Sequence, residues 1–325
     1  MDPQPAGAAG AAALAAAMDE TLNTMSEWVS QKERGSPRVI RFMFRLCSSR
    51  QRWLAQLLLY PIVTYFFLTA GRNRRASRHF FERARGRYSP ADHFRQLMCF
   101  ARSLIDRVAI LDGEAGHFRV NSHGREQLIE AQQRGQGLIL LGAHLGNFEA
   151  AQVLVREQAG IRVHPVAYFG GSRKIRQVLD ELNPELADRI IDPTEPDAVF
   201  RMRDVIEDGG ILAILGDRTG IGEKTLAVDF LGQRALLPAG PYYLAAILHC
   251  PVYCFFGLRV GEGEYDSWVF KLADRIELSR GRREQQARVH AQRFADLLGD
   301  MARRYPYNWF NFYEFWDSAG DGGRR

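Results

Sequence analysis

"GLILLGAHLGNFEAA", residues 137–151, holds the change of periodicity on which the fold turns. Leu138 to Leu141 form an unbroken apolar run of strand length, and the stretch after Gly146-Asn147 has the composition of a helix. An apolar run without alternation marks a strand buried on both faces. His144 and Glu149 straddle the junction. On one continuous helix they would project roughly 140° apart, so they do not share a helical face. The pair makes sense with His144 ending the strand and Glu149 in the first turn of a helix capped by Asn147. A short reversal can then return the carboxylate to the imidazole. Two readings stand side by side: a general base held by an acid, with helix N–H groups facing an oxyanion, or a buried histidine beside a routine first-turn glutamate.

Downstream the alternation continues. Strand-length apolar runs lie at 138–142, 161–169, 189–192, 211–215 and 251–260, with amphipathic stretches at about 148–159, 172–183, 197–208 and 241–249 between them. Strands alternating with helices of this length predict an α/β fold, a largely parallel or mixed sheet flanked by helices. A long helix at 282–304 precedes the aromatic segment "YPYNWFNFYEFW", 305–316. Upstream, residues 38–134 read as mostly helical, ending in "DHFRQLMCFARSLIDRVAIL" with apolar spacing near 3.6.

Charge is unevenly spread. Net charge is +5, yet Lys32 to Arg107 carries 17 Lys/Arg against 4 Asp/Glu. Such a segment attracts anionic partners: lipid headgroups, an acidic carrier protein or nucleic acid. Inside it lies "WLAQLLLYPIVTYFFLTA", 53–70, without a formal charge in 18 positions and with arginines on both sides. Its length just reaches that of a membrane span, and Pro61 would kink a continuous helix. Shallow burial in the interface and full spanning are equally compatible with these flanks, and a core helix of the globular domain is the bland alternative. An uncharged 18-mer within the basic segment points to lipid rather than nucleic acid.

"AGAAGAAALAAA", 6–17, lacks the positive n-region of a signal peptide. Residues 1–24 are therefore expected to be a disordered Ala-rich tail, 25–110 a basic helical membrane-associating region, 111–317 the α/β core continuous with it, and 318–325 a flexible tail. The core is expected on the cytoplasmic side of the inner membrane. Cys47, Cys99, Cys250 and Cys254 form no C-x-x-C and no zinc spacing, and read as reduced thiols. No G-x-S-x-G nucleophile elbow and no phosphate-binding G-x-x-x-x-G-K-[ST] occurs, which argues against a serine hydrolase and a P-loop enzyme.

"HLGNFE" resembles the H-x-x-x-x-[DE] signature of the glycerolipid acyltransferase superfamily, and within it the bacterial branch containing the late acyltransferases of lipid A biosynthesis. "GGILAILGDRTG" (209–220), "VDFLGQRALLPAGPYYLA" (228–245) and the Trp-rich end resemble that branch's further blocks in the same order. The resemblance implies transfer of an acyl chain from an acyl carrier protein thioester to a hydroxyl or amine of a membrane lipid or lipid-like acceptor at the inner membrane surface, with no metal or other cofactor. It implies His144 as base, Glu149 as its orienter, and Asn147, Asp217 and Arg218 lining the cleft, Arg218 gripping an anionic group. Gly232, Pro238 and Gly240 read as loop formers. Tyr305 to Asp317 contains no Lys or Arg, unlike the basic ending of the lipid A enzymes, which counts against a lipid A precursor as acceptor. "WVSQKERGS" (28–36) and the stretches after it look more like acyltransferases encoded with aryl polyene pathways. A non-catalytic lipid or carrier-protein binding module is the competing function, and it would need neither His144 nor Glu149.

Overall fold

The computed structural model describes residues 52–111, 116, 118–148, 163–167, 184–220 and 223–316. The chain opens with three helices, α1 (Arg52–Thr69), α2 (Gly71–Arg85) and α3 (Pro90–Leu111), followed by β1 (Arg119–His123), α4 (Arg125–Gln133), β2 (Leu138–Gly142) and β3 (Val163–Val166). Then come α5 (Pro184–Arg189), α6 (Ala198–Glu207), β4 (Ile211–Leu215), the hairpin β5 (Thr225–Phe230) and β6 (Gln233–Pro238), and α7 (Gly240–Leu248). Strands β7 (Val252–Gly261) and β8 (Glu264–Ala273) lead into α8 (Arg283–Arg304) and a 3-10 turn at Pro306–Asn308.

The main sheet has the order β1-β8-β7-β2-β4-β3. All neighbours run parallel except β7 and β8, an antiparallel pair. The central strands are apolar throughout because both faces are covered. Ile139 and Leu141 of β2, Leu212 and Ile214 of β4, and Cys254 and Phe256 of β7 face one cluster with helices α2, α6, α7 and α8. Their alternates Leu138, Leu140, Ile211, Ala213, Tyr253 and Phe255 face a second cluster with α4. Period-two burial on two sides thus turns a featureless apolar sequence into a defined register.

The expected α/β fold with a mixed sheet is the one observed. Strands 138–142 and 211–215 fall where the sequence places them, and 251–260 shifts to Val252–Gly261. Residues 189–192 do not form a strand. Arg189 ends α5, Ile191 makes one bridge to Val166, and Asp192 turns the chain by accepting from the Thr194 amide. Residues 38–134 are mostly helical where described, apart from short connections and β1, an edge strand with exposed alternate positions and hence a weak apolar signal. Of 161–169, residues 163–166 are strand; the helices expected at 148–159 and 172–183 lie outside the described residues apart from Phe148, as do the two tails.

Of the region expected to associate with membranes, the described residues from 52 onward contribute in part to the core. Phe80 and Phe81 of α2 are fully buried in the main cluster. α1 runs unbroken through Pro61 and lays Leu59 and Val63 on Leu97, Met98 and Ile105 of α3. Its other faces expose Leu57, Leu58, Tyr60, Ile62, Tyr65 and Leu68. No helix among the described residues is long and apolar enough to cross a membrane.

Candidate active site

Parallel pairing of β2 with β4 places Gly142 opposite Leu215. Each chain then runs two residues further, to His144 and Asp217. Equal overhangs from aligned parallel strands put the two side chains together, and the Gly216 amide donates to the Gly142 carbonyl at 2.9 Å to hold the ends in step. His144 Nδ1–H donates to Asp217 Oδ1 at 2.9 Å, and the His144 backbone N–H donates to Oδ2 at 2.9 Å. Asp217 is buried completely, whereas the imidazole leaves 27% of its side chain open.

Burial alone would raise the Asp217 pKa. The His144 ring, its hydrogen bond, Arg218 and Asn311 outweigh burial and hold it at about 2. An ionised carboxylate only accepts, so the neutral imidazole keeps its proton on Nδ1 and leaves the Nε2 lone pair for chemistry. Enclosure lowers the His144 pKa, opposed by the Asp217 charge and assisted by Arg218 and Arg107. The imidazole is thus neutral at physiological pH, the form a general base needs.

Three supports fix this pair. Gly146, at φ 81°, makes the turn after His144, and a Cβ there would lie 2.2 Å from the Gly257 carbonyl oxygen. Only glycine permits that approach to β7. The Asn147 amide donates to the same carbonyl at 2.7 Å. From the chain end, Phe310 N–H donates to the His144 carbonyl at 2.8 Å, and Leu145 bridges Trp309. Asn311 Nδ2 donates to Asp217 Oδ2 at 2.8 Å, while its Oδ1 accepts from Arg218 Nε at 2.8 Å. The C-terminal segment is therefore a strap across the site. Trp309 anchors it, fully buried and stacked on Phe80 and Phe230. Truncating a buried tryptophan costs roughly 3–5 kcal/mol.

His144 and Asp217 are brought together as sequence-selected residues, though their pairing differs from the expected one. The carboxylate on Nδ1 is Asp217, and Glu149 lies outside the described residues. Arg218 binds the strap through Asn311 and the Phe310 carbonyl, with its guanidinium over the Tyr313 ring. Asn147 is buried and interacts with Tyr265, whose hydroxyl donates to Asp106 at 2.8 Å. Asn311 escaped sequence reasoning because nothing in an aromatic-rich tail marks one of its two asparagines. Gly232, at φ 81°, closes the β5–β6 turn as expected of a loop former, whereas Pro238 is the last residue of β6, paired with Thr225, and Gly240 the first of α7. Cys99, Cys250 and Cys254 are free thiols; Cys47 is outside the described residues. Among the described residues no His, Cys, Asp and Glu group suited to a metal ion occurs.

A parallel-sheet scaffold here presents at its strand ends a carboxylate-held imidazole, an arrangement that can accept a proton. A family model of bacterial lipid A biosynthesis acyltransferases matches residues 92–318, and the chain belongs to that family. A phosphatidylinositol mannoside acyltransferase of Mycolicibacterium smegmatis is 25% identical over 201 residues, 59% of this chain and 60% of that protein. The chain thus spans less than two thirds of that relative's length.

Proposed function

We propose that this protein is an acyltransferase that moves an acyl chain from an acyl carrier protein thioester to a hydroxyl of a lipid or lipid-like acceptor. The observation that carries the reading is the 2.9 Å contact between His144 Nδ1 and a buried, ionised Asp217. His144 Nε2 takes the proton of the acceptor hydroxyl as its oxygen attacks the thioester carbonyl. The C–S bond breaks, and the departing thiolate takes the proton back from the imidazolium. Asp217 holds the tautomer and stabilises that imidazolium. Asp217 thus takes the orienting role that the sequence assigned to Glu149, which lies outside the described residues. A module that only binds lipid gains nothing from a buried charge paired with an imidazole, since such burial costs free energy unless compensated.

The protein works at the cytoplasmic face of the inner membrane, with α1 lying in the interface. Its exposed apolar positions and the exposed Arg72, Arg75 and Arg78 of α2 support that placement. The acceptor is of glycerolipid type or specific to an aryl polyene-like pathway. His144→Ala should lower transfer from an acyl carrier protein donor by roughly 10²–10⁴-fold. Wild-type turnover by a folded variant would end the general-base reading.

A further inference from the structure

A second site-like feature lies against the other end of the strap. A pocket of about 490 Å³ opens between α1, α3, the end of β7 and the Arg304–Asn308 segment. That volume is typical of a small-molecule site. Four guanidinium groups line it, Arg95, Arg102, Arg259 and Arg304, and no carboxylate does. Arg259 is neutralised, its Nε 2.9 Å from Asp106 Oδ2 in a buried pair. The other three make no ion pair with any described residue. Arg95 reaches the Tyr307 hydroxyl at 3.3 Å, Arg102 the Tyr60 hydroxyl at 3.4 Å, and Arg304 stacks over Trp268 with its centre 4.4 Å from the ring. Aromatic contacts of this kind orient a guanidinium without cancelling its charge.

These residues come from both ends of the chain, two from α3 and one from the last turn of α8. Arg95 and Arg304 are exposed and Arg102 half-buried, and Asp92 sits behind Tyr307. Solvent and that carboxylate moderate the repulsion, while an anion in the concavity would gain from all three cations. Guanidinium forks match the oxygens of a phosphate group. Phe94 and Met98 make part of the remaining wall apolar. Tyr60 belongs at once to the pocket and to the exposed apolar surface of α1, which continues through Leu57 and Leu68. Charge for a headgroup and apolar surface for acyl chains therefore adjoin.

We propose that this pocket binds the phosphate of an anionic glycerophospholipid, seating the protein on the membrane by a specific headgroup contact. The inference rests on the interfacial reading of α1 but not on the chemistry at His144. Binding of monomeric dihexanoyl phosphatidylglycerol to the full-length protein tests it by calorimetry, with dihexanoyl phosphatidylcholine and inorganic phosphate as parallel arms. Phosphatidylglycerol should bind most tightly. R95Q/R102Q/R304Q should weaken that binding by roughly tenfold or more, since hydrogen bonds to charged groups are the stronger kind. Equal affinity for the zwitterionic lipid, or binding of phosphatidylglycerol unchanged in the triple variant, would overturn the proposal. Inorganic phosphate binding as tightly as the lipid would overturn the lipid assignment in favour of a free-anion site. Should the triple variant fail to fold, R95Q and R102Q taken singly should each weaken binding, and wild-type binding should weaken as salt is raised. Affinity unchanged in both single variants and insensitive to salt would equally overturn the proposal. A monomeric probe separates this pocket from the α1 surface, which only vesicles report.

Discussion

At the scale of single residues, His144 is governed by two opposed influences, enclosure that lowers its pKa and the Asp217 charge that raises it. Enclosure wins, so the acid limb of log kcat/KM for acyl transfer should be centred below the ordinary histidine value of 6.5. Below that midpoint the imidazole is protonated and cannot accept. Asp217→Asn removes the opposing charge, so the limb should move to still lower pH while the maximal rate falls by roughly 10²–10⁴-fold, because the imidazolium loses its counter-charge. A pH–rate profile of both proteins decides this. A limb that moves upward in the variant would mean that Asp217 is not the charge His144 senses.

At the scale of elements, two glycines separate conformational strain from steric exclusion. Gly135 has φ 64° with nothing within 4 Å of a hypothetical Cβ, whereas Gly146 combines φ 81° with the Gly257 carbonyl oxygen at 2.2 Å. Gly135→Ala should cost about 1–2 kcal/mol, the left-handed penalty alone. Gly146→Ala should cost more, about 3–4 kcal/mol, because β2's exit from the sheet must shift as well. Urea titrations measure both, and equal costs would show that the turn yields freely. For α1, Leu57→Glu/Leu68→Glu alters positions 56% and 67% exposed, so stability should change little. Vesicle cosedimentation should nevertheless fall sharply, and its persistence would place the membrane contact elsewhere.

Over the whole molecule, charge distribution bears on the acceptor. Beyond residue 107 the chain has 26 Lys/Arg against 30 Asp/Glu, and 305–316 has neither Lys nor Arg. Folding nonetheless draws Arg304 to Arg95 and Arg102 of the basic helix α3, so positive charge gathers there rather than at the His144 end. Side-by-side assays at matched salt should therefore show acylation of a glycerolipid-type hydroxyl acceptor in preference to a lipid A precursor. Acylation of the precursor with the other acceptor inert would reverse the assignment.

The sequence determined the α/β class, the positions of β2 and β4, and His144 as the leading candidate for chemistry, because uniform burial writes itself as unbroken apolar runs and a histidine at a strand end stands out against them. It was less decisive for β1, whose exposed edge positions carry little apolar signal, for β5 and β6, which lie in or beside the 228–245 block, and for β8, which no pattern singled out. Tertiary structure alone decided that Asp217 meets the imidazole. Asp217 is distant along the chain but close in space, since parallel pairing aligns the ends of two strands more than seventy residues apart. It also decided that Asn311 and Trp309, at the far end of the chain, close the site, and that α2 serves the core. Register between distant strands depends on long-range packing, and no local pattern of residues encodes which partner that packing selects.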